Sequence, residues 1–115
     1  MEYLMLIYDN ERRFAKGYDP TEMKDYGNFG KEFAKQIKGG HALQPTSAAT
    51  TVRIRDGKRL TTDGPFAETK EQLGGYYLID VPNLDDAVHW AARCPAAMGG
   101  SIEVRPLGHS APSAK

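Results

Sequence analysis

The run Tyr3-Leu4-Met5-Leu6-Ile7-Tyr8 is apolar on both alternating faces, which predicts a strand in the middle of a sheet with material on either side. After a polar connection, Asp19-Pro20-Thr21-Glu22 reads as a helix start, with Asp at the N-cap, Pro at the first helical position and Glu three residues after the cap. Met23, Tyr26, Phe29 or Gly30, Phe33 and Ile37 recur at helical spacing, while Lys24, Asp25, Lys31, Glu32 and Lys35 lie mostly off that stripe; the helix is expected to end at Gly39-Gly40. A short extended piece is expected over Ala42 to Gln44. Thr50 to Arg55 and Lys58 to Thr62 then flank Asp56-Gly57 as a hairpin. A two-residue loop would put Ile54 opposite Arg59 and Arg53 opposite Leu60, mixing apolar and charged side chains on both faces. A three-residue loop of Arg55-Asp56-Gly57, with Gly57 left-handed, pairs Val52 with Leu60 and Arg53 with Arg59 instead, and the pattern favours that register.

Gly75 to Val81 alternates as the next strand and Pro82 stops it. Asn83 caps a second helix with an apolar stripe of Leu84, Ala87, Val88 and Ala91, closed by Cys94-Pro95. Ile102 to Arg105 alternates as a final strand, and His109 to Lys115, rich in Ala, Ser and Pro, is expected to be disordered. The order is strand, helix, strands, strand, helix, strand, an α+β pattern in one domain over 1–107 with a tail over 108–115. Two helices cover only one face of a sheet of four or more strands, so a ferredoxin-like antiparallel sheet with an extra β-hairpin fits. The other face then needs a partner, and symmetric homodimerisation is the commonest remedy.

Composition narrows the partners. Fifteen basic against fifteen acidic side chains in 115 residues leave no cationic surplus to draw nucleic acid, so no direct nucleic-acid binding is expected. The longest apolar stretch, near Tyr3 to Tyr8, is far below the roughly 20 residues that span a bilayer, and no membrane association is expected. One cysteine, Cys94, makes no internal disulfide, which suits the cytoplasm. His41, His89 and His109 are dispersed, and no glycine-rich phosphate loop, Gly-x-Ser-x-Gly elbow or dinucleotide fingerprint occurs; neither a metal nor a cofactor is expected.

The densest polar segment is Asp63-Gly64-Pro65-Phe66-Ala67-Glu68-Thr69-Lys70-Glu71-Gln72, four ionisable groups around one aromatic ring, in a loop of the kind that carries function on a rigid sheet. Its bland reading is a turn shaped by Asp63, with Phe66 in the core and Glu68, Lys70 and Glu71 in solvent. His41, just after Gly39-Gly40, is the histidine best placed between a helix end and a strand, and an imidazole near a carboxylate serves as a general base. The basic set Arg53, Arg55, Lys58 and Arg59 reads as a solvated hairpin edge ahead of a phosphate site.

The run Asp63 to Glu71, continued by Gln72-Leu73-Gly74-Gly75-Tyr76-Tyr77, strongly resembles the DGPF family, a branch of the YCII-related proteins. Tyr3 to Tyr8, Leu43-Gln44-Pro45 with Thr50-Thr51-Val52-Arg53, and Ala91 to Ala96 with Glu103-Val104-Arg105-Pro106 add to the resemblance, which spans nearly everything except the tail. It implies a ferredoxin-like fold, a dimer of the dimeric α/β-barrel type, and a cleft beside the motif. Some relatives are encoded beside, or fused to, extracytoplasmic-function sigma factors, which implies an association of that kind. In YCII-like relatives a histidine and an aspartate line the expected active site; residue by residue the resemblance carries over Asp63, and His41 is nominated by its position. Two readings stand. One is a small-molecule enzyme or degenerate enzyme with Asp63 and His41 as catalytic candidates and Tyr8, Pro65, Phe66 and Glu68 contacting the ligand. The other is a noncatalytic ligand-binding or regulatory protein working with a sigma factor.

Overall fold

A computed structural model describes residues 1–14 and 19–108; the tail expected over His109 to Lys115 lies outside the described residues. The elements are β1 (Glu2–Asp9), α1 (Pro20–Glu32), β2 (Ile37–Ala42), β3 (Thr50–Arg55), β4 (Lys58–Asp63), β5 (Gln72–Asp80), α2 (Leu84–Arg93) and β6 (Ser101–Pro106), with short 3-10 turns at Glu11–Phe14, Thr46–Ala48 and Pro95–Ala97. Four strands make an antiparallel sheet in the order β2-β5-β1-β6, and β3 and β4 make a separate two-stranded ribbon. β1 and β5 sit at the centre because their residues are apolar on both faces, as a strand flanked on both sides requires.

Strand alternation divides β1 cleanly. Tyr3, Met5 and Ile7 are buried under the helices with Ile79, Phe29, Phe33, Ala87, Trp90 and Ala91. Each large side chain fully buried there, such as Met5 or Ile79, contributes roughly 1.5–3 kcal/mol. Phe33 ties the two helices together, stacking edge-on against Phe29 at 4.9 Å and packing tilted against Trp90. Leu4, Leu6 and Tyr8 alternate onto the opposite face, where they lie opposite Leu78, Tyr76 and Leu73 of β5 and are only half-buried. Both helix starts follow their sequence signals: Asp19 accepts the Thr21 backbone N–H at 2.9 Å, and Asn83 accepts that of Asp86 at 2.9 Å.

Three expectations need correction. The first helix does not continue to Gly39-Gly40; Phe33 caps it, its carbonyl accepts the Gln36 and Ile37 N–H groups, and Ile37–Ala42 becomes an edge strand in place of the extended piece expected at Ala42 to Gln44. Gly40 stands opposite Tyr77 of β5, and a Cβ there would meet the Tyr76 carbonyl oxygen at 2.6 Å and the Tyr77 ring at 2.8 Å, so the glycine serves close approach of two strands and not helix termination. The strand expected from Gly75 begins at Gln72, carried past an irregularity in its pairing with Ile7 and Tyr8. The hairpin takes the two-residue loop: Arg55 pairs with Lys58, Ile54 with Arg59 and Arg53 with Leu60. Both Asp56 (φ 53°) and Gly57 (φ 74°) are left-handed, the geometry of a tight primed turn. No core packs on this ribbon, as Val52, Ile54 and Leu60 are all exposed, so turn chemistry sets the register and the apolar pattern does not.

Gly40→Ala is expected to cost about 1–3 kcal/mol, the usual range for forcing atoms into a filled space. Gly39→Ala, where a Cβ meets nothing within 4 Å, is expected to be near neutral. Urea denaturation of the pair checks the contrast; equal midpoints would contradict the close-approach account.

Candidate functional site

Beneath α1 the sheet is left partly uncovered, because Gly40, Ala42 and Gly75 present no large side chain to that face. A cleft of about 770 Å³ results, floored by β5 and β2 and walled by Tyr26 and Met23 of α1, Ile7 and Asp9 of β1, Tyr77, and the Leu43-Gln44-Pro45 connection. That volume lies within the roughly 300–1,000 Å³ of small-molecule sites. Its lining is mostly apolar and aromatic, with Asp9, Glu11, Arg12, Glu22 and Gln72 as the polar groups.

Asp9 continues the alternation of Tyr3, Met5 and Ile7 and so brings a carboxylate to the buried face, 6% exposed. A buried carboxylate needs partners, and Arg13 supplies them from the turn after β1: Nε reaches Oδ1 at 3.1 Å and an Nη reaches Oδ2 at 2.6 Å, a bidentate pair. The same guanidinium reaches Glu22 on α1 at 3.2 Å, joining strand, turn and helix around one cation. The Asp9 contact holds the Arg13 cation firmly protonated, its affinity for the proton raised further above the ordinary guanidinium value. Glu11 pins the opposite wall by accepting the Thr46 backbone N–H at 2.6 Å and its hydroxyl at 2.9 Å, while the Glu11 N–H donates to Gln72 Oε1 at 2.9 Å. Burial, followed by its contact with Cys94, pushes the Tyr26 phenol well above its ordinary range. Tyr26 is therefore a neutral hydroxyl at any working pH.

His41 is on the cleft lining at the end of β2, with Nδ1 3.0 Å from the Tyr76 hydroxyl. Alternation sends these two side chains to the face opposite Gly40 and Tyr77, so they meet at the sheet edge on the side that no helix covers. The tautomer sets the roles: with the proton on Nδ1 donated to the Tyr76 oxygen, Nε2 presents a free lone pair. Tyr8 also lies on the uncovered face and donates to Glu103 Oε1 at 3.1 Å. Burial and then Glu103 raise the Tyr8 phenol, while hydrogen bonds from Arg105 and Tyr8 lower the Glu103 carboxyl.

Within one chain, Asp63, Pro65, Phe66 and Glu68 are not on the cleft lining. Asp63 closes β4 opposite Thr50 with an exposed side chain; the turn after it is held by the Gly64 N–H to the Ala49 carbonyl at 2.7 Å and by the Thr51 hydroxyl to the Gly64 carbonyl at 2.8 Å. Phe66 is 79% exposed, so the bland reading that put it in the core is corrected. The structure thus puts residue 41 on the cleft lining with the His41 imidazole turned to the other face of the sheet, and leaves Asp63 off the lining. Asp9, Arg13, Glu22 and Tyr26 were not singled out from sequence as site residues. The signal was present for Asp9: it is the one ionisable side chain in phase with the buried positions of the first strand. No cluster of three or more His, Cys, Asp or Glu side chains able to hold a metal occurs among the described residues. No helix among them is long and apolar enough to cross a membrane.

An antiparallel sheet with helices on one face and a cleft under the first helix defines a small α+β domain. The chain belongs to the YCII-related family, whose model matches residues 1–109. It is 41% identical over 114 residues to an uncharacterized protein of Rhizobium meliloti (strain 1021), covering 93% of this chain and 92% of that one. In fold it is similar to 5-chloro-2-hydroxyhydroquinone dehydrochlorinase from Burkholderia phenoliruptrix, solved in complex with 2,5-dihydroxybenzoquinone, at a TM-score of 0.55 and 13% identity over 96% of both chains.

Removing one partner of a buried ion pair costs about 3–5 kcal/mol when both are buried, and less when one reaches water. With the Arg13 side chain 43% exposed, Asp9→Asn is expected to lower stability by about 1–3 kcal/mol and to loosen α1 from the cleft. Chemical denaturation with hydrogen exchange of α1 amides measures both; an unchanged midpoint would contradict the role given to this pair.

Proposed function

We propose that this chain is a small-molecule enzyme, or a degenerate one, that binds an uncharged hydroxylated aromatic or quinonoid compound in the cleft beneath α1. The observation that carries the reading is the pairing of a half-enclosed, aromatic-walled cavity with the buried and fully engaged Asp9 at its base. Asp9, Glu11, Glu22 and Arg12 lie on the lining, and with Arg13 paired to Asp9 and Glu22 one carboxylate is left in excess, which disfavours anionic ligands and suits hydroxyl groups that donate. The compound held by the fold neighbour is an oxygenated six-membered ring, which supports a hydroxylated or quinonoid ring as the ligand skeleton.

His41, oriented by Tyr76, stands on the face opposite Gly40 and Tyr77, so its proton-carrier role in this proposal belongs to the uncovered side of the sheet and not to the cleft beneath α1. The working form is a cytoplasmic homodimer of one ferredoxin-like domain over 1–107, of the DGPF branch, in which the half-buried face of Leu4, Leu6 and Tyr8 is covered by a second copy. Asp63, Pro65, Phe66 and Glu68 are off the cleft lining in a single chain and Tyr8 is on the opposite face, so ligand contact by these residues belongs to the dimer side of the sheet. A regulatory reading, with an extracytoplasmic-function sigma factor as partner, is favoured by one observation: the Asp63 to Glu68 segment faces solvent, as a protein contact would.

A thermal-shift comparison of resorcinol, catechol and benzoate tests the reading. A dihydroxybenzene at 100 times its Kd adds about 2.7 kcal/mol of stability and raises Tm by several degrees, whereas benzoate leaves it unchanged. Met23→Trp, at an exposed position on the cleft wall, is expected to abolish the shift with the fold intact. Shifts by benzoate alone, or none by any hydroxylated ring, would leave the regulatory reading.

A further inference from the structure

The β3–β4 ribbon is out of keeping with the rest of the chain. It shares no sheet with the body, and Val52, Ile54 and Leu60 stand 58%, 60% and 48% exposed on it. A lone two-stranded hairpin is marginal in water unless a third strand or another surface supports it. The ribbon is an arm.

We infer that this arm docks on the body of a second copy of the chain, so that each protomer of the dimer proposed above clasps the other. The inference rests on that dimer and adds the surface that secures it. Area supplies one argument. Four strands about 20 Å long at about 4.8 Å spacing give the uncovered sheet face a flat footprint on the order of 400 Å², and an arm reaching over from the other copy adds to the surface a stable interface removes from water. Val52 and Ile54 on one face of the arm and Leu60 on the other are exposed apolar side chains available for that contact. Charge supplies a second argument. Thr50 to Asp63 carries Arg53, Arg55, Lys58 and Arg59 against Asp56 and Asp63, while the whole chain is neutral, so the body holds the matching excess of carboxylates. The arm is thus basic and apolar, and a second copy offers an acidic body with an uncovered apolar face. The tight Asp56-Gly57 turn keeps the arm straight and narrow at its tip, as a clasp requires.

The test uses the full chain. Light scattering at about 10 μM is expected to give a dimer mass for wild type, and Ile54→Asp is expected to weaken the dimer at least tenfold in Kd with an unchanged far-ultraviolet spectrum, because Ile54 lies outside the core. A spin label on Ile54→Cys, selective because the native Cys94 is buried, is mixed with isotopically labelled, unmodified chain. Broadening of amide signals in the labelled copy supports the clasp. A dimer that keeps its affinity in Ile54→Asp, with no broadening between copies, would overturn the arm inference and leave the dimer standing. A monomeric wild type would overturn both.

Discussion

The missing side chain at Gly40 lets the edge strand close onto β5, and much of the cleft follows from that contact. The Tyr77 ring occupies the space a Cβ would need, while the Tyr76 carbonyl comes close to the Gly40 backbone. One strand pairing therefore sets three things: Tyr77 becomes a wall of the cleft beneath α1, the floor beside it stays free of bulk, and the next residue, His41, is delivered to the opposite face within reach of Tyr76. A larger residue at that position would push β2 away from the sheet and open the cleft to water.

The second constraint is electrostatic. A strand that buries Tyr3, Met5 and Ile7 on one face carries Asp9 onto that same face, and a carboxylate there is stable only with a cation brought to it. Arg13 meets that need from the turn after the strand, and by also reaching Glu22 it fixes where α1 begins to cross the sheet. Cavity and clamp are thus products of the same alternation. The helices fold over the buried face, and the pair at its end ties the start of the first helix to β1. Such preorganisation keeps a polar group oriented in a dry site at no further cost when a ligand arrives.

Local chemistry was legible in the sequence where the determinant is local. Asp19 and Asn83 cap helices because an oxygen two or three residues before an amide captures it in any context. The α+β order and the one-sided helical cover followed from periodicity. What failed depended on partners distant in the chain. Gly39-Gly40 looks like a helix stop until β5 is placed beside it, and the hairpin register was argued from a buried face that the ribbon does not have. For the site, the polar density of Asp63 to Glu71 is the louder signal in the sequence, whereas Asp9 stands at the end of an apolar run; its phase with Met5 and Ile7 is readable, and its cation lies four residues on.

The central claim, that the cleft beneath α1 receives the ligand, is tested most directly by mapping backbone amide shifts while an uncharged dihydroxybenzene is titrated into isotopically labelled protein. The account predicts saturable shifts at Gly40 to Leu43, Gly74 to Tyr77 and Tyr26, the residues that line the cavity. Shifts confined to Asp63 through Glu68, with the cleft amides unmoved at saturation, would contradict it.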